Sequence, residues 1–448
     1  MHLDALLKTF GNRPAREALI DGDSRCTYGE LIDRIERCLR RLDAAGIAKD
    51  AVVALRGDSS VQAVALLLAL LHRGSIVLPL AGTNESRIEK CLNIGAAEWL
   101  IGEFEDEARE PSMAATGRRA DHALYDQLRS RGHPGLVLFS SGSTGEIKGI
   151  VHDAVALLSK FRKPGRDLRT LVFLLFDHIG GIDTLFYGLS NGSTLALTRA
   201  RDPDSIAALI ARERIEVLPA TPSFLNLLLL SGAHERHDLS SLRIITYGAE
   251  MMPASTLGRC AAALPHVQFL QRYGATETGA LKGQSVGNDS LFIRLRGEGV
   301  EWRVRDGRLE LRAPTTMLGY LNAPSPFTED GWFMTGDCVE VEGDSLRILG
   351  RDSDMINVGG RKVFPAEVEN AIREIANIAD VSVYAAPNAV LSQIVACRVR
   401  LIAPEDAGSL RRRLKSDLAR RLEDYKIPAR IEITSELLTN DRMKQVRR

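Results

Sequence analysis

Across residues 28–42, apolar side chains recur at three- and four-residue intervals (Leu31, Ile32, Ile35, Cys38, Leu39 and Leu42), which predicts an amphipathic helix. A short β-rich run over 51–55 follows. The alternation repeats with helix over 61–71, strand over 75–80, helix over 88–92 and strand over 98–101. Helices and strands in turn predict a layered α/β domain with a parallel sheet as the default. Runs at 136–139, 170–175, 193–197, 217–219 and 242–246 extend the series, each bounded by Gly, Pro, Ser or Asn. A sheet covered on both faces is expected. After about Leu291 polar and apolar residues alternate, as in 301–304, 308–311 and 345–349, which predicts antiparallel strands and a β-rich subdomain. From Arg351 a new alternation begins, with helix over 365–375, strands over 378–384 and 394–401, and helix over 409–422.

The expected organisation is therefore α/β: a large layered domain over 1–350, with its β-rich subdomain, and a small α+β domain over 351–448. Length supports two bodies and a cleft, because 448 residues exceed what one hydrophobic core usually serves. Lys plus Arg and Asp plus Glu balance at 58 each, so nothing points to a nucleic acid or other polyanionic partner. The last 48 residues carry twelve basic and eight acidic side chains, a surplus that a solvated helix face accommodates. Six scattered cysteines form no Cys-x-x-Cys pair and read as reduced, buried thiols. The start lacks a basic segment followed by an apolar core, and the longest apolar run, 63–71, is too short to cross a bilayer. A cytoplasmic protein without a membrane span is expected.

Chemistry begins directly after the strand-like run at 136–139, with Ser140-Ser141-Gly142-Ser143-Thr144-Gly145-Glu146-Ile147-Lys148-Gly149. Glycines and small hydroxyl residues let backbone N–H groups approach oxyanions closely, and Lys148 supplies a cation. The spacing is not that of a Walker loop, since Ile147 and Gly149 flank the lysine where Gly and Ser or Thr belong. The stretch resembles the phosphate loop of the adenylate-forming superfamily, which includes acyl- and aryl-CoA synthetases, luciferases and nonribosomal peptide synthetase adenylation domains. One departure is Ile147, where that family usually has proline.

Further matches follow in the family's order. Tyr273-Gly274-Ala275-Thr276-Glu277-Thr278 resembles the segment whose aromatic ring stacks on adenine, whose threonine contacts the α-phosphate and whose glutamate helps hold Mg²⁺. Thr335-Gly336-Asp337 resembles the ribose site, and Arg351 falls where a family arginine meets the nucleotide. The resemblance also places Gly248, Ala249 and Glu250 in the nucleotide site. The run from Ile356 to Glu369 resembles the segment that lines the pantetheine channel, with Gly359 and Gly360 at the thiol. Ser353 stands at the hinge position, where Asp or Lys is usual. Tyr425-Lys426-Ile427-Pro428 and Asn440-Asp441-Arg442-Met443-Lys444 resemble the last two landmarks, so Lys444 is the expected catalytic lysine, although Met443 replaces the usual glycine.

The resemblance implies ATP and Mg²⁺, a small carboxylic acid, and CoA or the phosphopantetheine of an acyl carrier protein as acceptor. It also implies a mobile small domain that exchanges Lys444 for the Gly359-Gly360 face between half-reactions. The expected catalytic set is Lys444, Thr276, Glu277 and His178. Phe176, Asp177, His178, Gly180 and Gly181 are expected at the acid. There two analogies compete: His178-Ile179-Gly180-Gly181 resembles acyl- and aryl-CoA synthetases, whereas Phe176-Asp177 resembles amino-acid adenylation domains, where the aspartate clamps an ammonium group. Asp177 could instead orient His178 or face away. The synthetase match covers more positions, so an acid without a required α-ammonium group is expected. The departures at Ile147, Ser353 and Met443 leave a second class open, a nucleotide-binding scaffold without chemistry. An ATPase or kinase releasing ADP is a third.

Overall fold

A computed structural model of the chain describes residues 3–102, 110–141, 146–288 and 290–438. The helix and strand series predicted from periodicity is present, but its strands divide between two seven-stranded sheets instead of forming one. In one, Gln268–Gln271, Ile244–Tyr247, Val217–Ala220, Thr170–Val172, Leu195–Leu197 and Glu17–Asp21 run parallel, and Ser24–Thr27 closes the edge antiparallel. In the other, Gly135–Ser141, Ile76–Leu80, Val52–Arg56 and Trp99–Gly102 are parallel, with antiparallel strands at both edges. Periodicity reports which face of an element is buried and does not report its partner, so this division was invisible in the sequence.

What joins the two sheets is a shared layer of helices. The helix Tyr28–Ala44 starts at a capping box, Thr27 and Glu30 each bonding the other's backbone N–H. Its buried stripe is Tyr28, Leu31, Ile35, Cys38 and Leu42. The helix Val61–His72 is buried on nearly every side, because it lies in a core that also contains Leu19, Leu195 and Leu197 of one sheet and Val53, Val77 and Leu138 of the other. A helix apolar all round has this internal position as its natural place. No helix among the described residues is long and apolar enough to cross a membrane.

The expected β-rich part is a third seven-stranded sheet, antiparallel throughout, from Tyr273–Ala275 to Ser345–Arg351. A fourth sheet begins at Ile356–Val358 and, with the helices Pro365–Arg373 and Ala407–Leu418, encloses its own core around Val368, Val383, Val399 and Leu414. This is the small C-terminal domain. The expected division between residues 350 and 351 falls one residue before the end of the strand Ser345–Arg351. Of the six cysteines, five are buried and Cys338 is partly so; none is bridged.

Candidate active site

Parallel strands end together, and ligands of open α/β sheets sit beyond those carboxyl ends. Here the ends of Thr170–Val172, Val217–Ala220, Ile244–Tyr247 and Gln268–Gln271 deliver Leu174, Ala220, Gly248 and Arg272 to a cavity of about 1510 Å³. The second sheet contributes Ser140 and Lys148, directly opposed in the ladder between Gly135–Ser141 and Ile147–Asp153. Residues 142–145, expected to complete the phosphate loop, lie outside the described residues, as does the Ser141 side chain.

From Lys148 a chain of contacts leads across the cavity. Its ammonium group lies 5.0 Å from the centre of the Tyr320 ring, and the Tyr320 hydroxyl donates to Glu277 Oε1 at 3.0 Å. Burial and the Glu277 charge hold that phenol protonated. The Glu277 carbonyl in turn accepts from Met317 N at 2.7 Å. Thr276, next to it, is fixed from behind: His152, fully enclosed, places Nε2 2.7 Å from the Thr276 carbonyl. Burial pushes the His152 pKa down to about 4, so the ring is neutral at pH 7 and Nε2–H donates.

Glu277 and Thr276 belong to a tight hairpin between Tyr273–Ala275 and Gly279–Ser285. Gly274 is required there, since a Cβ would stand 2.3 Å from the Gly279 carbonyl oxygen. At the start of the hairpin the Tyr273 hydroxyl donates to Asp337 Oδ2 at 2.5 Å. Asp337 follows Gly336, whose φ of +73° turns the chain, and it is directly opposed to Arg351, with Nε 3.4 Å from Oδ1. Burial raises the Asp337 pKa, and Arg351 and the Tyr273 phenol oppose that shift. Gly248, Ala249 and Glu250 all line the same cavity. Ala249 sits at φ +68°, and Glu250 Oε2 accepts from Ser223 N at 3.2 Å.

The acid-binding expectations divide. His178 and Gly180 line the cavity; His178 caps the helix Ile179–Ser190, its Nδ1 accepting from Gly180 N at 3.0 Å. Phe176, Asp177 and Gly181 do not line it. Phe176 belongs to the core between the sheets. Asp177 is 3% exposed and pairs with Arg87 at 3.6 Å, so the carboxylate meets a protein cation. Gly181 is demanded by backbone packing, because a Cβ would lie 2.2 Å from the Leu175 carbonyl oxygen. Ser353 lines the cavity from the turn Asp352–Asp354. Gly359 and Gly360 form an exposed hairpin turn at φ +57° and +89°, away from the cavity wall. Lys444 lies outside the described residues.

His152, Tyr320 and Arg87 were not foreseen. His152 had a signal, lying four residues beyond Lys148 and so on the same face of the strand. Tyr320 and Arg87 had none, being distant in sequence from every recognised segment.

Comparison with known proteins gives the family and supports the fold. The model of the AMP-binding enzyme family matches residues 7–321, and that of the AMP-binding enzyme C-terminal domain matches 367–443. The indoleacetate–CoA ligase of Aromatoleum aromaticum is 27% identical, covering 95% of this chain and 93% of its own. The long-chain-fatty-acid–CoA ligase FadD13 of Mycobacterium tuberculosis is 28% identical, covering 91% and 89%. Among solved structures, the anthranilate CoA ligase AuaEII in complex with anthranoyl-AMP superposes with a TM-score of 0.81 at 20% identity, covering 100% and 95%. ATP-bound MatB from Rhodopseudomonas palustris reaches 0.82 at 23%, covering 100% and 97%. The chain therefore belongs to the AMP-binding enzyme family.

Proposed function

We propose that the protein joins an acyl or aryl carboxylic acid, with no required α-ammonium group, to AMP and then passes the acyl group to the thiol of CoA or of a carrier protein's phosphopantetheine. The observation that carries this reading is that Lys148, Glu277, Tyr273, Asp337 and His178 line one continuous cavity.

A carboxylate is a weak electrophile with a poor leaving group, so a thiol attacks it only after activation. In-line attack of the acid oxygen on the α-phosphorus forms the mixed anhydride and expels pyrophosphate. Positioning and neutralisation of growing charge supply the rate. In this reading Ser140 to Lys148 hold the phosphates, Tyr273 and Asp337 hold adenine and ribose, and Thr276 meets the α-phosphate. Lys444 bridges the reacting oxygens. Glu277 suits Mg²⁺, a hard ion that commonly takes one carboxylate beside phosphate oxygens; among the described residues no cluster of three His, Cys, Asp or Glu side chains offers an all-protein cage. When bound, Mg²⁺ offsets phosphate charge. Rotation of the small domain about Ser353 would then exchange Lys444 for Gly359 and Gly360, bringing the thiol in without water.

The Arg87–Asp177 pair favours this over amino-acid activation, because an ammonium clamp needs a carboxylate on the cavity wall. The test is a panel of acids with Mg-ATP, adenylates being trapped by hydroxylamine, in wild type and Asp177→Asn. Hydroxamates from acids lacking an amino group support the reading. Activity confined to α-amino acids and abolished by the substitution would overturn it.

A further inference from the structure

The hairpin that carries Glu277 at its turn has Arg272 and Lys282 at its open end. There the main cavity meets a second one of about 330 Å³, which shares Lys160, Phe161, Tyr187, Arg272 and Lys282 with it and adds Lys163 and Arg296. Five cations thus surround one mouth of the chamber.

Their arrangement is costly to the fold. Lys282 stands directly opposite Arg296 across the ladder, and the register of Tyr273 with Leu281 places Arg272 next in line on the other side. Like charges so opposed are destabilising. Three of the five are compensated: Arg296 by Asp344 at 3.1 Å, Lys163 by Glu298 at 3.1 Å, and Lys160 by Asp183. Among the described residues, the side chains of Arg272 and Lys282 have neither an ion-pair nor a hydrogen-bond partner. The wall that holds His178 and this mouth combines apolar Phe161, Leu174, Ile179 and Leu281 with polar Asp183 and Thr184.

We propose that the acid carries a second anionic group, a carboxylate, sulfonate or phosphate ester, seated between Arg272 and Lys282 and joined by a short spacer to the carboxylate that is activated. The proposal rests on the adenylate-forming reading above. Thr276 lies four residue steps beyond Arg272, with the strand Tyr273–Ala275 between them, and at about 3.4 Å per step this limits the reach to roughly 14 Å.

The experiment compares matched acids, each with a free terminal anion or with that anion capped as an uncharged amide, by pyrophosphate–ATP exchange without any thiol. Wild type should favour the anionic member by about tenfold or more in kcat/KM, as one charge-assisted contact allows. Arg272→Gln and Lys282→Gln should bring the ratio near one while retaining activity on the capped acid. Preference for the capped member, or an unchanged ratio in both variants, overturns the proposal. So does an effect of the variants that appears only in a parallel assay with CoA added, on the thiol-transfer step, which would assign these cations to the acceptor's phosphates. Calorimetric binding of the same pairs reads the subsite without turnover, so its failure is distinct from failure of the ligase reading.

Discussion

The phenol of Tyr273 donates to Asp337 Oδ2 at 2.5 Å, joining the residue proposed to stack on adenine to the one proposed to hold the ribose. Two strands of the third sheet, far apart in sequence, are thereby fixed across the nucleotide cavity. Asp337 also faces Arg351 at 3.4 Å, so this carboxylate is already oriented before any ligand arrives.

Asp337→Ala should therefore weaken ATP binding by about ten- to a hundredfold, since hydrogen bonds to a charged group contribute roughly 1.5–3 kcal/mol. Tyr273→Phe keeps the ring and removes only the phenol, so it should change ATP affinity by no more than a few-fold. Calorimetric titration separates the two. Equal losses would place the phenol, not the carboxylate, at the nucleotide.

Tyr320 fixes one oxygen of Glu277. Tyr320→Phe should raise the Mg²⁺ concentration needed for half-maximal activity by about fivefold, the worth of roughly 1 kcal/mol. Glu277→Ala should abolish acid-dependent exchange. A Tyr320→Phe enzyme with unaltered Mg²⁺ dependence would mean that Glu277 is positioned without the phenol.

How much of this was legible in sequence follows from what kind of information each residue needs. Ser140, Lys148, Thr276, Glu277 and Asp337 stand in short contiguous segments whose chemistry is local, and all of them line the cavity. Asp177 was ambiguous because its role depends on Arg87, ninety residues earlier in the chain, which no local pattern connects to it. Phe176 and Gly181 neighbour the wall without joining it, since consecutive side chains point in different directions and one position can face the core. The element series was readable from periodicity, and so was the uniformly apolar run of the helix Val61–His72, whereas the two sheets that this helix is packed between show only in three dimensions.

His152 links stability to pH. Its ordinary pKa of 6.5 falls to about 4 in the folded protein because burial disfavours the charged ring. Between these values the unfolded chain binds a proton that the folded chain does not. Its contribution is thus complete above pH 6.5 and falls as pH drops to 4, by on the order of 3 kcal/mol. His152→Gln retains a donor for the Thr276 carbonyl and removes the titration. Melting temperatures from pH 7.5 to 4.5 should decline less steeply in this variant; parallel curves would show that His152 does not titrate in this way.

Lys444→Ala should block adenylate formation while leaving thiol transfer from a supplied acyl-AMP largely intact, because the proposed domain rotation removes this lysine before the second step. Single-turnover measurement of each half-reaction checks it. Equal loss of both would move the catalytic role to another residue.

The most direct test of the central claim is exchange of labelled pyrophosphate into ATP in the presence of Mg²⁺ and an acid from the panel, with nucleotide products resolved in the same samples. The account predicts exchange that requires the acid, AMP as the nucleotide formed once a thiol is added, and loss of exchange in Lys148→Ala. Acid-dependent formation of ADP, with no label entering ATP, would contradict it.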